Sequence, residues 1–333
     1  MPSREEMLKA ATHAVAATCA VARRVQVATG RMQRMTKEDY SPVTVADFAV
    51  QALVALQLQE TLGALVLVGE ETAADLHEAQ SHGLRDAVVA AVREIRPGLT
   101  ASQVMDAIDL GNHDASAAAY WTLDPVDGTK GFLRGGQYAI SLGYIENGEV
   151  VLGALGCPNL GADFARPFDQ PAPQGSLFFA QRGGGAFTLP DDAPSAPASP
   201  IRVASTADLS TLRICESVEA GHSRIDDTQR IVDRLGIRGT PARLDSQCKY
   251  AVVARGQADA YLRLPTRADY QEKIWDHAAG ALIAAEAGAK VSDIDGKALD
   301  FSQGATLRRN RGVVCAAAHF HAPLLEAIAA LLP

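Results

Sequence analysis

The sequence is short of several things, and each shortage excludes a class of function. No run of about 18 uncharged apolar residues occurs anywhere in the 333 residues, so nothing reads as a membrane-spanning helix. Basic residues are in the minority: 31 Lys and Arg face 39 Asp and Glu, a formal net charge of −8. A general nucleic-acid binder needs a basic face that releases counterions, and an anionic membrane surface needs the same. Neither partner is expected. A small anionic substrate remains open, because a few cations in one cleft override the global field. Cysteine is sparse and odd in number (Cys19, Cys157, Cys215, Cys248 and Cys315), with no CxxC pair. That pattern fits reduced thiols and a cytoplasmic setting, and a chain of this length buries its apolar surface without disulfide staples. The N-terminal stretch lacks the positive region of a leader, since Glu5 and Glu6 stand beside Arg4 and Lys9. No His/Cys cluster has the spacing of a zinc site.

What is present is ordinary globular composition, with 47% hydrophobic and 21% charged residues. At about 150 residues per domain, two domains are expected. Leu8, Ala11, Val15, Cys19 and Ala22 recur at helical spacing and predict a first helix with one narrow apolar face. Residues 46–62 predict a second helix, and 64–68 a buried strand running into Gly69-Glu70-Glu71. A helix over 86–95 is followed by a Pro-Gly break at 97–98 and a polar loop. Tyr120-Trp121-Thr122-Leu123 reads as a strand that delivers Asp124. Asn147-Gly148 between two apolar runs predicts a hairpin, and Arg182-Gly183-Gly184-Gly185 the turn of another. Eight prolines (158, 167, 171, 173, 190, 194, 197 and 200) fall within 157–200, and the stretch around 190–200 reads as a solvated connection. The domain boundary is placed at its end, giving 1–200 and 201–333. Beyond it, strands at 201–204, 212–217, 258–263, 289–292 and 312–316 alternate with helices, an α/β pattern. The first half is α+β.

The chemistry lies in dispersed acids at the ends of apolar elements: Asp47, Glu70, Asp124, Asp127 and Asp276. Any one alone would be an N-cap or a solvated acid. Asp124-Pro125-Val126-Asp127-Gly128-Thr129-Lys130-Gly131-Phe132 is different. Proline fixes the chain between two carboxylates, and Asp-Gly permits a sharp bend. Two carboxylates and a carbonyl then converge as hard oxygen ligands that suit Mg²⁺. Free N–H groups at the following turn suit a phosphate. A phosphate about 5 Å from one carboxylate is repelled by roughly 3 kcal/mol at an effective dielectric of 20. If the five acids converge, the site therefore accepts phosphate only with divalent cations present.

At these residues the sequence resembles the inositol monophosphatase superfamily of Mg²⁺-dependent, Li⁺-inhibited phosphatases. Gly69-Glu70-Glu71, Asp124-Pro125-Val126-Asp127-Gly128-Thr129 and Trp275-Asp276-His277-Ala278-Ala279-Gly280 match its signature triplet in order. Within it the chain is most similar to the 3′(2′),5′-bisphosphate nucleotidases. The stretches from Lys37 to Asp47, Gly128 to Gly135, Leu244-Asp245-Ser246-Gln247-Cys248-Lys249-Tyr250 and Tyr261-Leu262-Arg263-Leu264-Pro265 carry that narrower match. Ala289, where relatives often have glycine, and the proline-rich 161–200 depart from it.

The resemblance implies a layered αβαβα sandwich, with an antiparallel-sheet N-terminal domain, a smaller α/β C-terminal domain and the site in the cleft between them. It implies that Glu70, Asp124, Asp127 and Asp276, with the Val126 carbonyl, hold two or three Mg²⁺ ions. Asp47 and Thr129 would orient and deprotonate a metal-activated water, which attacks phosphorus in line, with the Gly128 and Thr129 amides taking up developing charge. His222, Ser246, Lys249 and Arg263 would bind the nucleotide and its 5′-phosphate, and Lys37 would contact the water network. Trp275 and His277 would pack. The expected reaction is hydrolysis of the 3′-phosphate of 3′-phosphoadenosine 5′-phosphate, with the phosphosulfate as a second substrate, by a cytoplasmic monomer. The alternatives are an inositol (poly)phosphate phosphatase of the same superfamily and a phospho-ligand binding protein that has lost activity.

Overall fold

The computed structural model describes residues 2–32, 42–78, 81–218, 225–267 and 269–332. Two long helices open the chain, α1 (Arg4–Met32) and α2 (Pro42–Leu62). Ala11, Val15, Cys19 and Ala22 are all buried, as their spacing requires. Helix α2 is apolar all round because it is covered on both sides. Val50, Val54 and Leu58 face the first sheet. Phe48, Ala52 and Leu53 face α3 (His82–Ile95) and α4 (Ala101–Asp109). Helix α4 replaces the expected polar loop. It is nucleated by a capping box, in which Thr100 and Gln103 satisfy each other's backbone N–H groups.

The first sheet has seven strands in chain order: β1 (Leu67–Gly69), β2 (Ala119–Asp127), β3 (Ala139–Glu146), β4 (Glu149–Cys157), β5 (Ser176–Gln181), β6 (Gly185–Pro190) and β7 (Ser199–Ile201). Only β1 and β2 run parallel. A short helix, α5 (Thr129–Leu133), follows β2. Both expected hairpins form, the first turning on Asn147 and Gly148 with φ of 51° and 80°. Strand β1 is shorter than 64–68 suggested. The strand expected to open the second half instead ends the first sheet, because Ala186 and Ile201 pair across β6 and β7.

The second sheet contains β8 (Ile214–Glu216), β9 (Ala242–Arg243), β10 (Ala260–Arg263), β11 (Ala289–Ser292) and β12 (Val313–Ala317), in the order β11-β12-β10-β8-β9. It is mixed: β8 is parallel to β9 and β10, while β12 is antiparallel to β10 and β11. Helices α6 (Ile225–Leu235), α7 (Cys248–Ala254), α8 (Ala278–Glu286) and α9 (Ala318–Leu331) complete the described elements.

One core joins Leu155 and Phe178 of the first sheet to Tyr250 and Leu282 of α7 and α8, and these to Tyr261 and Cys315 of the second sheet. Helices α1 and α2 cover the outer face of the first sheet, and α6 and α9 the outer face of the second. The layers thus run α1/α2, sheet, α7/α8, sheet, α6/α9, the αβαβα sandwich expected. Glycine permits close approach between layers: a Cβ at Gly153 would lie 3.0 Å from the Ala279 carbonyl oxygen of α8. Among the described residues no helix is long and apolar enough to cross a membrane.

Candidate active site

The parallel pairing of β1 with β2 puts Gly69 opposite Leu123, so Glu70 and Asp124 leave the sheet side by side. The Glu70 N–H donates to the Leu123 carbonyl at 3.2 Å. Behind this edge the buried Gln51 of α2 fastens the turn. Its Nε2 donates to the carbonyls of Glu71 (2.6 Å) and Ile108 (2.9 Å), and its Oε1 accepts from the Glu71 N–H at 3.1 Å. Pro125 has no N–H to give the ladder, and the pairing of β2 with β3 shifts between Asp124 and Asp127. Gly128 then turns the chain at φ +88°, and a Cβ there would lie 2.8 Å from Ser246 Cβ.

The two halves of the chain are built onto each other at this point. Asp127 Oδ2 accepts from the main-chain N–H of Gln247, and Arg134 pairs with Asp245. Between them lies a cavity of about 440 Å³. Glu70, Asp124, Val126, Asp127, Gly128 and Thr129 of the first half line it, together with Ser246, Lys249, Arg263 and Asp276 of the second. A larger cleft of about 660 Å³ between α1 and α2 has Glu6 as its one acid and no basis for this chemistry. Asp47 is buried, close enough for Glu70 and Glu71 to act on it. No hydrogen bond joins Asp47 to Thr129 among the described residues. His222 and Lys37 lie outside the described residues.

The acids are under mutual strain. Burial pushes the Asp124 carboxyl well up, and Glu70, Asp127, Asp276 and Asp47 add to it. Glu70 touches solvent inside the cleft, yet loss of bulk water, then the charges of Asp276 and Glu71, push it up to about 8 despite a hydrogen bond with Asp124. Burial and Asp276 raise Asp127 to about 6, against the pull of Lys249. Burial raises Asp47 as well, followed by Glu71 and Glu70. Asp124 Oδ1 is buried without any hydrogen-bond partner. Converging hard oxygens that cannot all ionise, one of them orphaned, make a donor set that fits a divalent cation of the Mg²⁺ type.

Lys249 and Arg263 are held differently from one another. Lys249 is buried, so desolvation lowers its pKa; its Nζ donates to the Leu244 carbonyl at 3.2 Å and lies 5.2 Å from the Tyr261 ring centre. Arg263 forms a two-point pair with the buried Glu272 and stands 3.6 Å from Asp276. Burial opposes the Glu272 charge, but Arg263 and His277 outweigh it and hold that carboxyl at about 2. His277 completes the chain, with Nε2 3.2 Å from Glu272 and Nδ1 2.9 Å from the Tyr250 hydroxyl. Glu272, Asp276 and His277 place one ligand atom each within 4.8 Å of one another. Arg263 and His277 already pair with Glu272, so these contacts form an ion-pair network, and of the three only Asp276 also lines the cavity. Ser246 lies in the left-handed region at φ +68°, and its Oγ accepts from the Cys248 N–H at 3.1 Å.

Three residues of this site gave no sequence signal of their own: Gln51, Gln247 and Glu272. Gln51 and Gln247 are neutral amides on helix and loop, and their partners are main-chain atoms far away in sequence. The costly charge of Arg263 on an apolar strand was visible in the sequence, and a buried acid partner was the physical corollary.

Residues 3–332 match the model of the inositol monophosphatase family. Over 306 residues the chain is 42% identical to a 3′(2′),5′-bisphosphate nucleotidase of Schizosaccharomyces pombe, covering 89% of this chain and 86% of that one. It is 41% identical over 318 residues to a 3′(2′),5′-bisphosphate nucleotidase of Emericella nidulans, with 90% of each covered. The fold is also that of Mycobacterium tuberculosis SuhB, with a TM-score of 0.61 at 22% identity over 97% of this chain and 95% of that one.

Proposed function

The chain belongs to the inositol monophosphatase family and is a phosphatase, and from that premise we propose that it hydrolyses the 3′-phosphate of 3′-phosphoadenosine 5′-phosphate to AMP and phosphate. The observation that carries the proposal is the make-up of one cavity: the carboxylates Glu70, Asp124, Asp127 and Asp276 together with Ser246, Lys249 and Arg263 of the second half. A substrate with two phosphates uses both sets of residues. The phosphosulfate offers the same 3′ group and is a second substrate in this reading. The boundary near residue 200 then separates a part that supplies most of the metal-holding acids from a part that binds the rest of the substrate.

Glu70, Asp124, Asp127, Asp276 and the Val126 carbonyl would hold Mg²⁺, two or three ions, which when bound neutralises the phosphate and makes water a stronger acid. The acids exclude a bare phosphate by their charge and admit it once neutralised. Thr129 lines the cavity and Asp47 lies close enough to Glu70 and Glu71 to feel their charge; in this reading the Thr129 hydroxyl and the Asp47 carboxylate would orient the attacking water and take its proton. The Gly128 and Thr129 amides donate to the phosphoryl oxygens. Ser246 and the Lys249 ammonium hold the 5′-phosphate; that anion restores the charged form that burial disfavours. Arg263, already paired, contributes mainly by holding Asp276 and Glu272 in place. The reaction gives a free alcohol and inorganic phosphate and forms no phospho-enzyme.

The chemistry is tested by phosphate release from 3′-phosphoadenosine 5′-phosphate in Mg²⁺ and in EDTA, with Asp127→Asn alongside. Activity that needs Mg²⁺ and disappears in the variant supports the assignment. An Asp127→Asn protein with undiminished turnover overturns it.

A further inference from the structure

Gln247 occupies a position between the two halves of the acid cluster. It precedes α7 and is 2% exposed. Its main-chain N–H donates to Asp127 Oδ2. Its side-chain Nε2 donates to the Trp275 carbonyl at 2.8 Å, and its Oε1 accepts from the Gly280 N–H at 3.0 Å. Those two groups flank Asp276, one residue before it and four after it. The amide is held in that orientation, since Trp275 offers an acceptor and Gly280 a donor. The space is equally fixed, because a Cβ on Gly280 would lie 2.9 Å from Gln247 Oε1. One residue of the second half therefore touches Asp127 through its backbone and brackets Asp276 through its side chain.

We infer that Gln247 is a positioning residue that sets the separation of Asp127 and Asp276, and through it the affinity for divalent cations. The inference rests on the reading that these two acids hold the metal. Asp127 comes from β2 and Asp276 from the loop before α8, and among the described residues no hydrogen bond joins their carboxylates directly. Two carboxylates on separate elements repel each other in the absence of a cation and drift apart unless something spans them. Gln247 spans them at neutral charge, through its main-chain N–H on one side and its side-chain amide on the other, so it adds no repulsion and occupies none of the carboxylate oxygens of Asp276. Outer residues of this kind typically change metal affinity about 10- to 100-fold when removed.

The test is a Mn²⁺ titration of the full chain, stripped with EDTA and free of substrate, with unbound Mn²⁺ read by electron paramagnetic resonance. Gln247→Met keeps the length and removes both polar ends; Gln247→Asn keeps the amide and withdraws it by one methylene. The expected result is saturable binding by the unaltered protein and roughly tenfold weaker binding by each variant. The thermal midpoint in EDTA separates this from simple packing: a purely structural role lowers the midpoint and leaves Mn²⁺ affinity alone. Folded variants that bind Mn²⁺ as the unaltered protein does overturn the inference. So does failure of both variants to fold, which makes Gln247 a folding residue. If the unaltered protein itself binds no Mn²⁺, the parent reading of the acids fails instead.

Discussion

Arg263, which lines the cavity, forms a buried two-point ion pair with Glu272, with contacts of 2.9 and 2.6 Å. The guanidinium that reads in the sequence as a phosphate ligand is therefore mostly committed within the protein. It also donates to the Tyr270 hydroxyl at 3.4 Å and stands 3.6 Å from Asp276. Removing one partner leaves an uncompensated buried charge. Glu272→Gln should cost about 3–5 kcal/mol of unfolding free energy in a denaturant titration. A loss below about 1 kcal/mol, the range of an exposed pair, would show that the pair is not buried in solution.

The acid cluster fixes how the metal-free protein responds to pH. Asp47, Glu70, Asp124 and Asp127 all titrate above the ordinary carboxylate range in the folded chain. Groups raised in this way add stability at pH values below their unfolded pKa and lose it as pH climbs through the folded one. With Asp127 at about 6 and Glu70 at about 8, the thermal midpoint in EDTA should fall as pH rises from about 5 to about 8. Mg²⁺ should flatten that slope by replacing protons. A midpoint that rises over this range in EDTA would contradict the convergence of the acids.

Gly128 separates strain from contact. Gly128→Ala pays for a left-handed φ of +88° and drives a Cβ to 2.8 Å from Ser246 Cβ. Gly135→Ala pays for φ +71° but meets nothing within 4 Å. Each substitution should lose about 1–2 kcal/mol of stability. Only the first should displace the Asp127–Thr129 turn, and displacement of about 1 Å costs on the order of 100-fold in turnover. Equal activity of the two variants would detach Gly128 from the site.

Lys249 gives the account its selectivity. Lys249→Met retains the stem and removes the charge. A charge-assisted hydrogen bond is worth about 1.5–3 kcal/mol, so kcat/KM for the bisphosphate should fall about 10- to 100-fold. Cleavage of a nucleoside 3′-monophosphate, which has no 5′ group, should fall far less. Parallel losses on both substrates would remove Lys249 from the 5′-phosphate.

Much of this was legible in the sequence because the signals are local. Apolar runs ending in acid placed Glu70 and Asp124 at strand ends, and Asn147-Gly148 fixed a hairpin. The Thr100/Gln103 capping box is also local, but it lies after a Pro-Gly break in a segment whose polar residues read as a loop. Strand β7 went to the wrong half because three residues, Ser199 to Ile201, carry no information about which sheet edge they complete. Gln51, Gln247 and Glu272 were beyond reach for a different reason. Their partners, the Glu71 and Ile108 carbonyls, Trp275 and Gly280, and Arg263, become neighbours only when the layers are stacked.

The central claim is that the second half's contribution to the cavity recognises a second phosphate on a nucleotide. The most direct measurement is phosphate release, in Mg²⁺ with and without Li⁺, from 3′-phosphoadenosine 5′-phosphate against inositol 1-phosphate and inositol 1,4-bisphosphate. A strong preference for the nucleotide, with activity lost in Li⁺, is the predicted result. Preference for either inositol phosphate would leave the carboxylates in place and contradict the roles given to Ser246 and Lys249.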